Sequence, residues 1–79
     1  MSDRKYNGKV IWFKAKPGFG FIEWEKDGIH QKDIFVHFSG IYVEDEKKFR
    51  SLKKDQLVTF SIGKNNRDQI IAVDVRVVE

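Results

Sequence analysis

Apolar and polar residues alternate in short runs along the chain, and residues that favour turns separate one run from the next. Runs of this kind that are rich in branched and aromatic side chains are typical of β-strands. They predict five strands, over residues 9–14, 18–23, 33–38, 56–63 and 70–78. No segment sustains the apolar spacing of an amphipathic helix, so the pattern predicts an all-β fold.

The connections between the predicted strands differ in length. Turn-forming residues at 16–18 predict a short turn between the first two strands, and the Asp-Gly pair at 27–28 predicts a tighter one in the next connection. The Asn-Asn-Arg segment at 65–67 closes the last hairpin. The connection over 40–55 is long and charged, with room for one helical turn over 44–49.

The period of two along each strand divides its side chains between two faces. A small barrel has one interior, and branched side chains pack well inside it. The expected core consists of Ile22, Ile34, Val36, Val58, Phe60, Ile62, Val73 and Val75. The alternation then leaves four side chains outside, those of Phe19, Phe21, Phe35 and His37. Exposed rings on one face reduce solubility unless a partner covers them.

Size and composition narrow the architecture further. The 79 residues are expected to form a single domain, over residues 1–79, with one core. Chains this short bury only about 60% of the surface that their unfolded form exposes. The sequence contains no cysteine, so disulfides cannot compensate for a small core. These limits favour an economical β structure that is closed or nearly closed.

Basic residues cluster in two segments, although the net charge is only +3. Residues 4–22 contain five basic side chains, Lys14 and Lys16 among them, and residues 47–54 contain five more, with no acid in either segment. Together with a pI of about 9.3, this distribution suggests a polyanionic partner. An ordinary solvated surface is the alternative, above all for the 47–54 segment. Rings bordered by lysines suit single-stranded nucleic acid, whose bases stack while its phosphates meet the basic rim.

Other classes of function find little support in the sequence. The charged start over 1–9 holds no apolar stretch for a signal peptide or a membrane span, so we expect a cytoplasmic protein without membrane contact. Asp33 and His37 would lie about 13 Å apart along a strand, too far for a catalytic pair. Two histidines without cysteine make a poor metal site, and no glycine-rich loop opens a helix. We therefore expect no enzyme, no cofactor, no metal and no small-molecule substrate.

Three motifs resemble the cold-shock domain family: GKVIWF at 8–13, KPGFGFI at 16–22 and DIFVHFS at 33–39. Within the second and third, residues 18–22 and 35–38 are similar to the two ribonucleoprotein motifs of that family, and the resemblance extends over nearly the whole chain. It implies a five-stranded antiparallel barrel of the oligonucleotide-binding (OB) fold. It also implies binding of single-stranded RNA or DNA with low sequence specificity, and a role as an RNA chaperone or a regulator of transcription or translation.

The resemblance carries over residue by residue to a set of binding residues. It implies base stacking for Trp12, Phe19, Phe21, Phe35, His37 and Phe38, and for Phe49 in the long loop. Arg67 in the last hairpin matches a basic residue that lies near the ligand, and Lys14 and Lys16 would belong to the basic rim. The usual state of the family implies a monomer.

The chain departs from the family pattern in two respects. Ile11 and Pro17 stand where the family commonly has lysines, and the loops over 24–32 and 40–50 are longer than in bacterial members. These departures concern phosphate contacts and loop geometry, not the aromatic residues. They keep open a second hypothesis, in which the same aromatic side chains or the longer loops bind a polypeptide.

Some of the motif residues also have a structural interpretation. Gly18 and Gly20 suit tight curvature and close strand approach as well as binding. His37 taken alone could be an ordinary polar surface residue. Trp24 is expected to cover one end of the barrel instead of contacting a ligand.

Overall fold

The computed structural model describes residues 5–43 and 51–78. These residues form six strands and one 3₁₀ turn, namely β1 Tyr6–Lys14, β2 Phe19–Lys26, β3 Ile29–His30, β4 Ile34–His37, the 3₁₀ turn Phe38–Gly40, β5 Leu57–Lys64 and β6 Ile70–Val77. The five predicted strands correspond to β1, β2, β4, β5 and β6. The added β3 pairs with the end of β2 across the turn at 27–28. The helical turn considered for 44–49 lies outside the described residues.

Five of the described strands close a barrel. β1 pairs with β2 and β5, β5 pairs with β6, and β2 pairs with β4, and all of these pairs are antiparallel. The ring closes between β4 and β6, which run parallel and pair Phe35 with Ile71 and Val36 with Ala72. The all-β OB-fold barrel predicted from the sequence is confirmed, although β4 and β6 pair in parallel over this short stretch.

Inward side chains of the described strands and loops fill the barrel. The buried apolar residues are Val10, Ile22, Trp24, Ile34, Val36, Ile41, Leu52, Val58, Phe60, Ala72 and Val75. Six of the eight predicted core residues are among them: Ile22, Ile34, Val36, Val58, Phe60 and Val75. Burying a branched or aromatic side chain of this kind stabilises a fold by about 1.5–3 kcal/mol.

The prediction was wrong for Ile62 and Val73. Ile62 should face the same side as Phe60, but it lies two residues before the end of β5 and is 37% exposed. In β6 the backbone of Asp74 is left-handed, with φ of 51°, and the register with β5 shifts at this point. The resulting bulge moves the inward position from Val73 to Ala72, which is buried.

Trp24 packs on the core. Its side chain is 8% exposed, and its ring meets the rings of Tyr6 and Phe60 edge-on, at centroid distances of 5.1 and 5.5 Å. Its Nε1 donates a hydrogen bond to the carbonyl oxygen of Lys32 at 2.9 Å. This packing agrees with the expectation that Trp24 packs against the barrel.

No helix within residues 5–43 and 51–78 is long and apolar enough to cross a membrane. The same residues bring together no group of three or more potential metal ligands.

Asp74 is the centre of a small charge cluster on the barrel surface. The ammonium group of Lys5 donates a hydrogen bond to its Oδ2, and Nε of Arg76 donates one to its Oδ1 at 3.3 Å. The bond from Lys5 is the main cause that holds the pKa of Asp74 below its ordinary value, while partial burial acts in the opposite direction. The guanidinium of Arg76 also stacks over the ring of Tyr42, 4.0 Å from its centroid.

We expect Asp74→Asn to lower the free energy of unfolding slightly at neutral pH, and not in strong acid. Asparagine tolerates the left-handed backbone, so the substitution removes the charge and keeps the bulge. Because the pKa of Asp74 is lower in the folded chain, its stabilising effect is complete above the ordinary aspartate pKa of about 3.9 and is lost as pH falls through the lowered value. Urea unfolding of both proteins from neutral to acid pH measures the difference. A difference that stays constant into strong acid would contradict this assignment.

Candidate nucleic-acid interface

Three neighbouring strands place two rows of side chains on the outside of the barrel. β2 pairs with β1 on one side and β4 on the other, and directly opposed residues share a face. One row consists of Trp12, Phe21 and Phe35, and the next of Lys14, Phe19 and His37. The aromatic face is defined here as Trp12, Phe19, Phe21, Phe35 and His37. Each of these five side chains is partly exposed.

The four large rings of the aromatic face contact one another in a closed circuit. Trp12 lies 5.8 Å from Phe19 and 5.4 Å from Phe21, measured between ring centroids. Phe35 lies 5.7 Å from Phe19 and 5.8 Å from Phe21. These distances are typical of favourable edge-to-face and tilted aromatic pairs. The rings therefore support each other from the side and leave part of their surface open to solvent.

A β-bulge in β1 brings Trp12 to this face. Val10 is fully buried and pairs with Ile22, whereas Trp12 pairs with Phe21 on the outside. On a regular strand, the side chains of residues two positions apart point to the same face. The register shift between them, at Ile11, reverses the alternation. The outward position of Trp12 thus depends on an irregularity that the sequence pattern does not reveal.

Gly20 allows β1 and β2 to approach closely beneath the rings. A Cβ atom on Gly20 would lie 2.1 Å from the carbonyl oxygen of Trp12 and 2.8 Å from Cα of Phe13. Gly18 has φ of 98°, and a Cβ there would lie 2.8 Å from the ring of Phe38. Both glycines therefore serve the curvature and packing suggested by the structural interpretation.

His37 and Phe38 form a pair at the end of β4. Their ring centroids are 4.5 Å apart, and Phe38 is 40% exposed. The strand ends at His37, and the 3₁₀ turn brings Phe38 to the surface instead of continuing the inward position of Val36. Ser39 holds the imidazole, because its Oγ lies 2.8 Å from Nδ1 and its backbone N–H donates to the same atom at 3.3 Å.

Basic side chains border the aromatic face at several points. The ammonium of Lys14 lies 5.9 Å from the centroid of Trp12, and Lys16 is exposed in the turn at 15–18. Arg67 is exposed on the β5–β6 turn and lines a depression of about 460 Å³ together with Phe35. Phe49, the remaining predicted stacking residue, lies outside the described residues.

The depression contains residues that were not predicted as part of the site. Asn65, Asn66 and Gln69 line it beside Phe35 and Arg67. Residues 65–67 are predicted from the sequence only as a turn, because asparagine is a common turn former. Their position against an aromatic side chain follows from the pairing of β4 with β6, which joins segments distant in sequence.

Known bacterial proteins are similar to this chain. It is 44% identical over 61 residues to the cold shock-like protein CspB of Bacillus cereus, a match that covers 77% of this chain and 83% of the relative. It is 42% identical over 72 residues to a cold shock-like protein of Thermotoga maritima, with coverage of 91% and 97%. It is 46% identical over 63 residues to the cold shock-like protein CspG of Escherichia coli strain K12, with coverage of 80% and 81%.

The family model that matches the chain is that of the "Cold-shock" DNA-binding domain, over residues 6–78. The match spans all the described strands, from the first residue of β1 to the last of β6. Proteins of this family bind nucleic acids and are not enzymes, which agrees with the expectation from the sequence. The fold, the motifs and these relatives together show that the chain belongs to the cold-shock domain family.

Proposed function

We propose that this protein binds single-stranded RNA or DNA on the aromatic face, with low sequence specificity. The observation that carries the proposal is the circuit of four outward rings on β1, β2 and β4, with Lys14 in the adjacent row. Membership of a family described as DNA-binding supports it. If no partner covered this face, polar side chains there would make the barrel more soluble than aromatic ones do.

Stacking explains why the ligand is single-stranded. A base exposes its flat surface to a protein ring only when it is unpaired and separated from its neighbours. Each base that stacks on an aromatic side chain contributes about 1–3 kcal/mol, as measured by alanine substitution in such proteins. Every base has such a surface, so the interaction tolerates many sequences and disfavours the duplex.

Charge provides the second component of binding. Lys14, Lys16 and Arg67 are exposed around the rings and can neutralise phosphates. Each neutralised phosphate releases counterions, and for single strands the slope of log K against log salt steepens by about 0.7 per contact. Binding is therefore expected to weaken as salt rises, while the stacking component persists.

The biological role that follows is that of an RNA chaperone, or of a regulator of transcription or translation. A protein that binds unpaired strands of many sequences lowers the free energy of the open state, and hairpins that block either process then open more easily. The proposal includes a monomer, because a single chain supplies all the strands that build the aromatic face. It also includes a location in the cytoplasm.

Tryptophan fluorescence tests this proposal. Trp12 lies on the aromatic face and Trp24 is buried in the core, so a bound base should quench the emission of Trp12. We expect oligothymidine and oligouridine to quench the fluorescence at low salt and to bind more weakly at high salt. Trp12→Phe is the matched control, because it keeps a ring on the face and should bind with little quenching. If the oligonucleotides cause no quenching and no binding heat at low salt, the proposal is contradicted and a polypeptide partner is favoured.

Ile11→Lys is expected to strengthen the salt-dependent component. Ile11 occupies the bulge next to Trp12, where the family commonly has a lysine. One added phosphate contact should tighten binding to oligothymidine at low salt and steepen the salt slope by about 0.7. Binding constants of the wild-type and Ile11→Lys proteins, measured across a salt series, test this prediction. An unchanged slope, with affinity equal or lower, would show that Ile11 does not border the path of the phosphates.

A further inference from the structure

Arg76 is held on two sides although it lies on the surface. Its guanidinium stacks over the ring of Tyr42, 4.0 Å from the centroid, and its Nε donates a hydrogen bond to Oδ1 of Asp74 at 3.3 Å. The side chain of Arg76 is nevertheless 51% exposed. A long side chain loses rotamer freedom when it binds a ligand, and here the ring and the carboxylate already restrict that freedom. The guanidinium is therefore oriented before any ligand arrives.

The groups that Arg76 leaves open suit an anion. A guanidinium has five N–H donors, and the bond to Asp74 uses the one on Nε. The donors on the two terminal nitrogens have no hydrogen-bond partner within residues 5–43 and 51–78. Lys5 donates to the other oxygen of Asp74, so two cations share one carboxylate and a positive charge remains in excess. The planar fork of terminal N–H groups matches the oxygens of a phosphate.

The chain itself connects Arg76 with the aromatic face. Phe35 pairs with Ile71, and the chain after it continues alongside β6. Beyond the 3₁₀ turn, the backbone N–H of Tyr42 donates to the carbonyl oxygen of Val75 at 2.8 Å. Along β6, Arg76 lies five positions beyond Ile71, a distance of at most about 16 Å. Folds of this type bind about 4–16 nucleotides, so a bound strand can extend over this distance.

We propose that Arg76, together with Lys5, binds a phosphate of the strand that leaves the aromatic face past Phe38. This inference rests on the proposed function and adds a contact outside the aromatic face. Tyr42 and Asp74 act as positioning residues, because they hold the guanidinium and leave its terminal N–H groups open. A phosphate contact carries no information about the bases. It therefore raises the affinity for any sequence that is long enough to reach Arg76.

Oligomers of two lengths locate the contact. Oligothymidine of about six nucleotides offers one base to each described stacking residue, whereas about ten nucleotides also extend past Phe38. We expect Arg76→Gln to weaken binding of the longer oligomer about two- to fivefold at low salt, the effect of one exposed ion pair. The slope of log K against log salt should become shallower by about 0.7. Binding of the shorter oligomer should stay unchanged, as measured through the fluorescence of Trp12 across a salt series.

Lys26→Gln is the matched control for the loss of charge. Lys26 is exposed at the opposite end of β2 from Phe19, and its substitution removes the same charge from the protein. We expect it to leave the salt slope of the longer oligomer unchanged. If Lys26→Gln reduces the slope as much as Arg76→Gln does, net charge explains the effect and the assignment of Arg76 is refuted. Thermal unfolding of each variant confirms that the barrel is folded during the measurements.

Tyr42→Leu tests the positioning role separately. It removes the ring and keeps the charge of Arg76, so the longer oligomer should bind more weakly with a nearly unchanged salt slope. The Nε–H resonance of Arg76 reports the contact directly, and in the wild-type protein it should shift with the longer oligomer and not with the shorter one. If Arg76→Gln reduces the slope and Tyr42→Leu binds like the wild type, Arg76 contacts the phosphate without Tyr42 as its positioning residue.

The outcomes separate this inference from the proposed function. If the wild-type protein binds neither oligomer, the proposed function fails. If it binds both oligomers and Arg76→Gln keeps the wild-type slope with the longer one, the assignment of Arg76 is wrong and the proposed function stands. If Arg76→Gln weakens both oligomers equally, the contact does not lie beyond Phe38, and the path proposed for the strand is contradicted.

Discussion

Gly20→Ala is expected to lower the free energy of unfolding by about 3 kcal/mol or more, at the upper end of the usual cost of overpacking. The new Cβ would lie 2.1 Å from the carbonyl oxygen of Trp12 and 2.8 Å from Cα of Phe13. Both are backbone atoms, so no side-chain rotation relieves the contact and β1 must move away from β2. Small domains are stable by only about 5–15 kcal/mol, so the loss is a large share of the total.

Gly28→Ala is the matched control for this prediction. Gly28 lies in the β2–β3 turn with φ of 80°, and a Cβ there would meet no atom within 4 Å. Its substitution therefore carries only the cost of a left-handed backbone, about 1–2 kcal/mol. Urea unfolding of the three proteins gives the comparison. If Gly20→Ala were no more destabilising than Gly28→Ala, the result would contradict the close approach of β1 and β2 beneath the aromatic face.

Phe35→Ala is expected to weaken oligonucleotide binding by about 1–3 kcal/mol, which is the loss of one stacked base. The ring lies on the aromatic face, between Phe19 and Phe21 and beside the depression that contains Arg67. Removing it interrupts the circuit of rings as well as the wall of the depression. Titration with oligothymidine at low salt measures the effect through the fluorescence of Trp12.

Val36→Ala is expected to have the opposite profile. Val36 is fully buried and packs inside the barrel, so its truncation should lower the free energy of unfolding by about 2 kcal/mol through lost burial and the cavity left behind. The folded fraction should bind oligothymidine with nearly unchanged affinity. If Phe35→Ala proved the more destabilising of the two, the inward and outward sides of β4 would have to be exchanged.

Much of the barrel could be predicted because its strands obey a local rule. The alternation of side chains in β2 and β4 is uninterrupted, and by itself it predicts both the buried Ile22 and Val36 and the outward Phe21 and Phe35. Strand positions could be inferred for the same reason, since branched and aromatic runs end at turn residues.

The predictions failed near the end of β5, at Ile62, and where two strands depart from regular pairing. Bulges at Ile11 and Asp74 reverse the alternation, so Val10 and Ala72 are core residues while Val73 is not. A bulge depends on the register between two paired strands. The sequence of either strand alone therefore does not show where the bulge lies. Trp12 was assigned to binding through its motif, and not through periodicity.

The residues of the depression could not be predicted for a related reason. Asn65 and Gln69 belong to a polar turn, and turn composition alone accounts for their presence. Their relevance depends on the parallel pairing of β4 with β6, which places Phe35 beside them.

The central claim is that single-stranded nucleic acid binds on the aromatic face. Amide chemical shifts of the labelled protein, recorded as oligothymidine is added at low salt, test it most directly. We predict the largest changes at Trp12, over 19–21, over 35–37 and over 65–69, with little change around Tyr6 and Glu25 at the far ends of β1 and β2. Changes concentrated around Tyr6 and Glu25, or no changes at all, would contradict the account.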